Sequence, residues 1–201
     1  MRKEQDYIKD IAEIRSMMER SSKFLSLSGW AGILAGIYAL AGAWVAYDVF
    51  GFQPEEVFYS PPGLERVIAL ALGILTLALV TAIYFSWRKS DKRGEKIWNV
   101  TSRRLLVSMA VPLLAGGILI IILISKGLAG LIAPLTLLFY GLALYIAGFY
   151  TIREVRFMGV IQIVLGLLNT WFIEYGLLFW SVGFGLVHIV YGIYIHYKYE
   201  R

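Results

Sequence analysis

The 19 basic and 14 acidic residues of this chain all lie outside six windows: 24–47, 67–87, 105–125, 127–152, 157–173 and 175–197. These windows are 24, 21, 21, 26, 17 and 23 residues long. A helix crossing the hydrocarbon core of a bilayer needs about 20 apolar residues, with about 17–25 tolerated. In lipid the backbone of such a run can satisfy its polar groups only within its own helix or a closed barrel. The pattern predicts an all-α integral membrane protein, a six-helix bundle of three consecutive hairpins. Its spans are expected near 26–47, 64–87, 105–125, 128–149, 157–173 and 176–197. Composition agrees, since charged residues make up 16% of the chain against about 25% in soluble domains. The fifth window is the shortest, and Arg156 and Glu174 are expected to snorkel at its ends.

Basic residues set the orientation. Six precede the first span (Arg2, Lys3, Lys9, Arg15, Arg20, Lys23), and seven follow the second (Arg88, Lys89, Lys92, Arg93, Lys96, Arg103, Arg104). Arg153 and Arg156 follow the fourth, and Lys198 and Arg201 end the chain. The alternate loops hold only Arg66 and Lys126. Seventeen against two is a positive-inside bias that predicts cytoplasmic N- and C-termini. It also accounts for the pI near 9.4 without nucleic acid as a partner.

Residues 1–25 are expected to form a cytoplasmic amphipathic helix ahead of the 26–201 membrane domain. Tyr7, Ile11, Ile14, Met18, Ser21 and Leu25 recur at alternating spacings of four and three, a helical seam. Six basic and five acidic residues nearly cancel in this segment, whereas a helix laid on anionic lipid is more basic. The segment therefore caps the bundle, continues the first span, or docks a protein partner or second protomer through residues 3–25.

The first span carries two small-residue ladders, Ser28, Gly32, Gly36 and Ala31, Ala35, Ala39, Ala43. Four-residue spacing puts each ladder on one face, and small side chains let another backbone approach. This helix is expected to be central, touching at least two others, while the aliphatic second span faces lipid. The outer loop 48–63 holds Pro54, Pro61 and Pro62, with Asp48, Glu55 and Glu56, and reads as a solvated loop or a weak cation patch. The segment 88–104 reads as a charged cytoplasmic loop whose cations set topology or meet anionic headgroups. Asn99-Val100-Thr101 matches a glycosylation sequon on the wrong side of the membrane for that chemistry. Pro112 with Gly116 and Gly117 marks a bend in the third span, either a static kink or a hinge.

The last two spans hold the polar chemistry. Gly159, Gln162, Gly166 and Asn169 share one face of the fifth, and Ser181, Gly185, His188 and Gly192 one face of the sixth. A short turn joins these helices, so the two stripes are expected to face each other, with His188 between the levels of Gln162 and Asn169. Polar groups at that depth face the bundle interior. Two readings stay open: an interhelical clasp with Gly159, Gly166, Gly185 and Gly192 as packing glycines, or a ligand or proton site of His188, Gln162, Asn169 and Ser181. His196 belongs with the aromatic belt.

The chain has no cysteine and two histidines, so no metal site, cofactor or thiolate nucleophile is expected. The spans also lack an intramembrane acid to couple ions. Two stretches, IRSMMERSSKFLSLSG (14–29) and YGLLFWSVGFGLVHIVYGIYIHYKYER (175–201), resemble a group of conserved bacterial inner-membrane proteins of about this length. That resemblance implies six spans and brings no catalytic motif or assigned activity. The expected function is a non-enzymatic sensor, regulator or scaffold; the alternative is a small transporter or channel with its site near His188.

Overall fold

The computed structural model describes residues 28–54, 56–58, 63–92 and 98–200. The helix expected over 3–25 and the middle of the charge run, 93–97, lie outside them. The described residues are all-helical, with no strand among them. Helix α1 (Gly29–Trp44) runs on through a π-helical turn, Val45–Val49. Then come α2 (Leu64–Lys92), α3 (Val100–Ser125), α4 (Ile132–Tyr150) and α5 (Arg153–Trp171). The last rod has three parts: α6 (Gly176–Trp180), a π-helical segment (Ser181–Val187) and α7 (His188–Tyr199).

Among the described residues five stretches are long and apolar enough to cross a membrane: Gly29–Val49, Leu64–Lys92, Val100–Ser125, Ala129–Tyr150 and Ile173–Tyr199. Helix α5, the expected fifth span, is not among them. Its first turn carries Arg153, Glu154 and Arg156, which leaves the shortest apolar run of the chain.

The described ends of the expected cytoplasmic loop 88–104 are helical at 88–92 and 100–104. Helix α2 extends through Arg88 to Lys92 and α3 begins at Val100, because Arg and Lys are good helix formers and leaving lipid does not end a helix. Asn99 caps α3 reciprocally with Ser102: Ser102 N donates to Asn99 Oδ1 at 2.8 Å and Asn99 N to Ser102 Oγ at 2.9 Å. The residue that reads as a sequon is thus an N-cap.

Helix α1 packs against α2 on one side and against α7 and its π-helical segment on another. A Cβ added at Gly36 would stand 2.6 Å from Gly185 O, and one at Gly32 would stand 3.2 Å from Gly192 Cα. Ser28, the first rung of the ladder, sits just ahead of the helix at its N-cap position. Toward α2, Gly42 faces Ile74 and Tyr38 Oη lies 3.4 Å from Thr81 Oγ1. Helix α2 is otherwise bare: Leu72, Leu75, Leu79 and Ile83 are each more than half exposed, as a lipid-facing helix requires.

Helix α5 lies antiparallel along α4 on a glycine seam. Added Cβ atoms would meet Arg156 N at 2.7 Å from Gly148, Ile163 N at 2.7 Å from Gly141, and Leu138 N at 2.8 Å from Gly166. Helix α3 covers the other side of α4. It runs unbroken through the buried Pro112, and Gly116 seats the ring of Phe139, so the proline–glycine stretch is a packing surface rather than an interruption. Leu105, Leu144, Ala147, Val155 and Met158 form the apolar core where α3, α4 and α5 meet.

Residues 56–58 approach the start of the α4 span by their backbone. Gly130 N donates to Val57 O at 3.3 Å, and the Glu56 backbone lies directly over Gly130. The Glu56 side chain stays exposed.

Candidate functional site

Gln162 and Asn169 project from α5 toward the last rod, and neither has any exposed surface. Gln162 Nε2 donates to Gly183 O at 2.8 Å, across the bundle in the π-helical segment. The same carbonyl oxygen lies 2.9 Å from His188 Nδ1. A carbonyl only accepts, so Nδ1 carries the imidazole proton. In the uncharged ring Nε2 then accepts, and its partner is the Tyr140 hydroxyl of α4 at 2.9 Å. One backbone oxygen thus gathers side chains from α5 and α7, and the histidine extends the chain of hydrogen bonds to α4.

The π-helical geometry fits this convergence. Ser181 Oγ donates back to Leu177 O at 2.6 Å and Leu178 O at 3.1 Å, which disturbs the ordinary carbonyl ladder. Gly183 and Gly185 favour the helix less than any residue except proline. Two side-chain donors also compete for Gly183 O. Such π turns arise where an α-helix is strained, often at functional positions. A Cβ at Gly183 would stand 2.5 Å from Gln162 Oε1, so only glycine lets the glutamine approach.

Around these bonds the ring of His188 lies nearly parallel to Tyr140 (5.5 Å between centroids, 22°) and to Phe184 (5.8 Å, 16°). Trp180 extends the stack beyond Phe184 at 5.0 Å. Asn169 Nδ2 reaches Gly176 O at 3.4 Å, the long limit of a hydrogen bond. Neither Gln162 Oε1 nor Asn169 Oδ1 accepts a hydrogen bond from the described residues.

The predicted residues divide. Gln162 and His188 meet at one atom. Asn169 sits near the far end of α5, bonded to the start of α6 rather than to His188. Ser181 bonds only its own helix and takes no part in the cluster. The glycines of the two stripes do not face each other: Gly159 and Gly166 pack on α4, and Gly185 and Gly192 on α1. Each helix has two close neighbours, and the polar and glycine residues use different ones.

A second polar cluster gathers at the basic end of the bundle. The Glu200 carboxylate accepts from Gly29 N at 3.0 Å, Lys89 Nζ at 3.0 Å and His196 Nδ1 at 2.8 Å. It caps the N-terminus of α1 and ties it to α2 and α7, a favourable place for a negative charge. Burial, the largest influence, pushes its carboxyl up, but the bonds from His196, Lys89 and Gly29 outweigh it and hold it at about 2. Glu154, at the start of α5, binds Lys198 and accepts from Tyr199 Oη at 2.9 Å. Burial raises its carboxyl too, and hydrogen bonds, from Lys198 foremost, bring it below its ordinary value. His196 therefore pairs with a carboxylate as well as stacking edge-on with Trp30 at 5.5 Å.

Among the described residues no group of three or more histidine, cysteine or acidic side chains is placed to hold a metal. No family model, curated protein or solved structure matches the chain.

Proposed function

We propose that this chain is a six-span protein of a bacterial inner membrane, with both termini cytoplasmic, acting without catalysis as a sensor, regulator or scaffold. In this reading its buried polar centre is a clasp that fixes the last rod against α4 and α5. The convergence of Gln162 and His188 on Gly183 O carries the proposal, because both side chains spend their donors on the protein's own backbone. Interhelical bonds of this kind contribute about 0.6–2 kcal/mol each in a membrane. Residues 3–25 are the proposed docking segment for a cytoplasmic protein partner or a second protomer.

The span that brings this count to six is α5, fifth in chain order. Helix α4 is long and apolar enough to cross, and α5 follows it back from Gly148 to Pro134, about 21 Å of helix. A helix packed antiparallel along a spanning partner for that distance crosses with it, and its basic first turn sits at the same end as Lys89 and Lys198.

A small transporter or channel is the second reading. One observation favours it: Gln162 Oε1 and Asn169 Oδ1 are buried acceptors with no donor among the described residues, as acceptors lining a solute path would be. Thermal unfolding in detergent separates the two. If the clasp is structural, His188→Leu strands Tyr140 and costs about 1–3 kcal/mol, while His188→Gln costs less. Both variants melting with the parent would remove the clasp and leave the solute site.

A further inference from the structure

At the basic end, the start of α3 and the last residue of α4 enclose an open cavity of about 410 Å³, lined by Arg103, Arg104, Val107, Ser108 and Tyr150. Neither guanidinium forms a hydrogen bond or ion pair among the described residues, and both arginines are exposed. Ser108 and Tyr150, both hydroxyl-bearing residues, complete the lining. Two guanidinium groups beside two hydroxyls suit a phosphate, because each guanidinium is a planar fork that bonds two of its oxygens together.

The cavity continues into an apolar track. From Arg103, steps of four, four, three and four residues along α3 reach Val107, Val111, Leu114 and Ile118, which are 62%, 69%, 64% and 59% exposed. These positions lie on one helical face. From Val107 to Ile118 the track runs about 16 Å, close to half of the roughly 30 Å hydrocarbon thickness of a bilayer. A cationic cavity at the interface followed by an apolar stripe one leaflet long has the shape of a phospholipid rather than of a soluble anion.

We propose that this cavity binds the anionic headgroup of a phosphoglyceride, with Arg103 and Arg104 on its phosphate and an acyl chain along Val107, Val111, Leu114 and Ile118. Basic pockets between spanning helices recognise lipid headgroups in this way. The site is separate from the His188 clasp and does not depend on which side of the membrane this end faces.

The test is lipid titration of the full-length chain in neutral detergent, read by native mass spectrometry. Phosphatidylglycerol should bind saturably, and phosphatidylcholine and inorganic phosphate should bind at least tenfold more weakly. Each arginine removed should weaken phosphatidylglycerol about fivefold, so R103Q/R104Q should lose about twenty-fivefold. R88Q/K92Q, with the same change of net charge on α2, should bind as the parent does. If the double arginine variant does not fold, the single variants R103Q and R104Q carry the comparison. Equal weakening by R88Q/K92Q would overturn the site in favour of diffuse surface charge. Inorganic phosphate binding as tightly as the lipid would make it a free-anion site and overturn the acyl track.

Discussion

Replacing Gly36 by alanine tests the packing of α1 on the last rod. The added Cβ would stand 2.6 Å from Gly185 O, 2.6 Å from Ile189 Cγ1 and 3.0 Å from Ile189 N. Ordinary carbon contacts lie at about 3.5–4.0 Å, and two of these neighbours are backbone, so the helices must part by roughly 1 Å. Overpacking of this kind costs about 1–3 kcal/mol. Alanine recovers about 1 kcal/mol through its better helix propensity, leaving a net loss of up to about 2 kcal/mol. At Gly73 nothing lies within 4 Å of an added Cβ, so only propensity acts and alanine should gain about 0.5–1 kcal/mol. Gly32 is intermediate: its nearest neighbours are at 3.2 and 3.3 Å, and the two effects nearly cancel. At about 2–4 °C per kcal/mol for a chain of this size, Gly36→Ala should melt below the parent, Gly32→Ala near it and Gly73→Ala above it. Leucine should widen the gap between Gly36 and Gly73. A Gly36→Ala protein at least as stable as Gly73→Ala would refute the close approach of α1 to the last rod.

Two further outcomes follow from the polar clusters. Tyr140→Phe removes the donor to His188 Nε2 and should cost about 1 kcal/mol in the parent but almost nothing in His188→Leu; equal losses in both backgrounds would break the link between the two residues. The Glu200 carboxyl is held at about 2, below its ordinary 4.5, so its contribution is present above pH 4.5 and is lost as pH falls toward 2. Glu200→Gln should flatten the stability profile over that window, and an unchanged acid profile would show that the cap on α1 contributes nothing.

Charge segregation made the helices legible because lipid excludes ions wherever the chain crosses, and each of the long described helices overlaps one of the uncharged windows. Their ends were less legible, since a helix does not stop where the lipid does: α2 runs on to Lys92 and α3 starts ahead of Arg103. Periodicity placed Gln162, His188 and the glycines on faces of their helices, but a face has no name for its partner. The glycines of α5 turned to α4 and those of the last rod to α1, leaving only the polar residues to meet. Tyr140 could not be picked out, because it is one of three tyrosines in α4 and an aromatic ring there also fits lipid. The π-helical segment was signalled by Ser181, Gly183 and Gly185, though nothing local says that Gly183 O takes two side chains. Glu200 capping α1 joins residues 171 positions apart, beyond any local pattern, whereas the Asn99–Ser102 cap was local and readable.

Whether α5 crosses the membrane decides between six spans and five, and with it the proposed position of the C-terminus. The chain has no native cysteine, so single cysteines at Lys126, Arg153, Glu174 and Arg201 can be tested with a membrane-impermeant maleimide in intact spheroplasts. Six spans predict labelling at Lys126 and Glu174 from outside, with Arg153 and Arg201 reacting only after permeabilisation. Labelling of Arg201 in intact spheroplasts, with Arg153 and Glu174 both protected, would place α5 on one side of the membrane and contradict the six-span account.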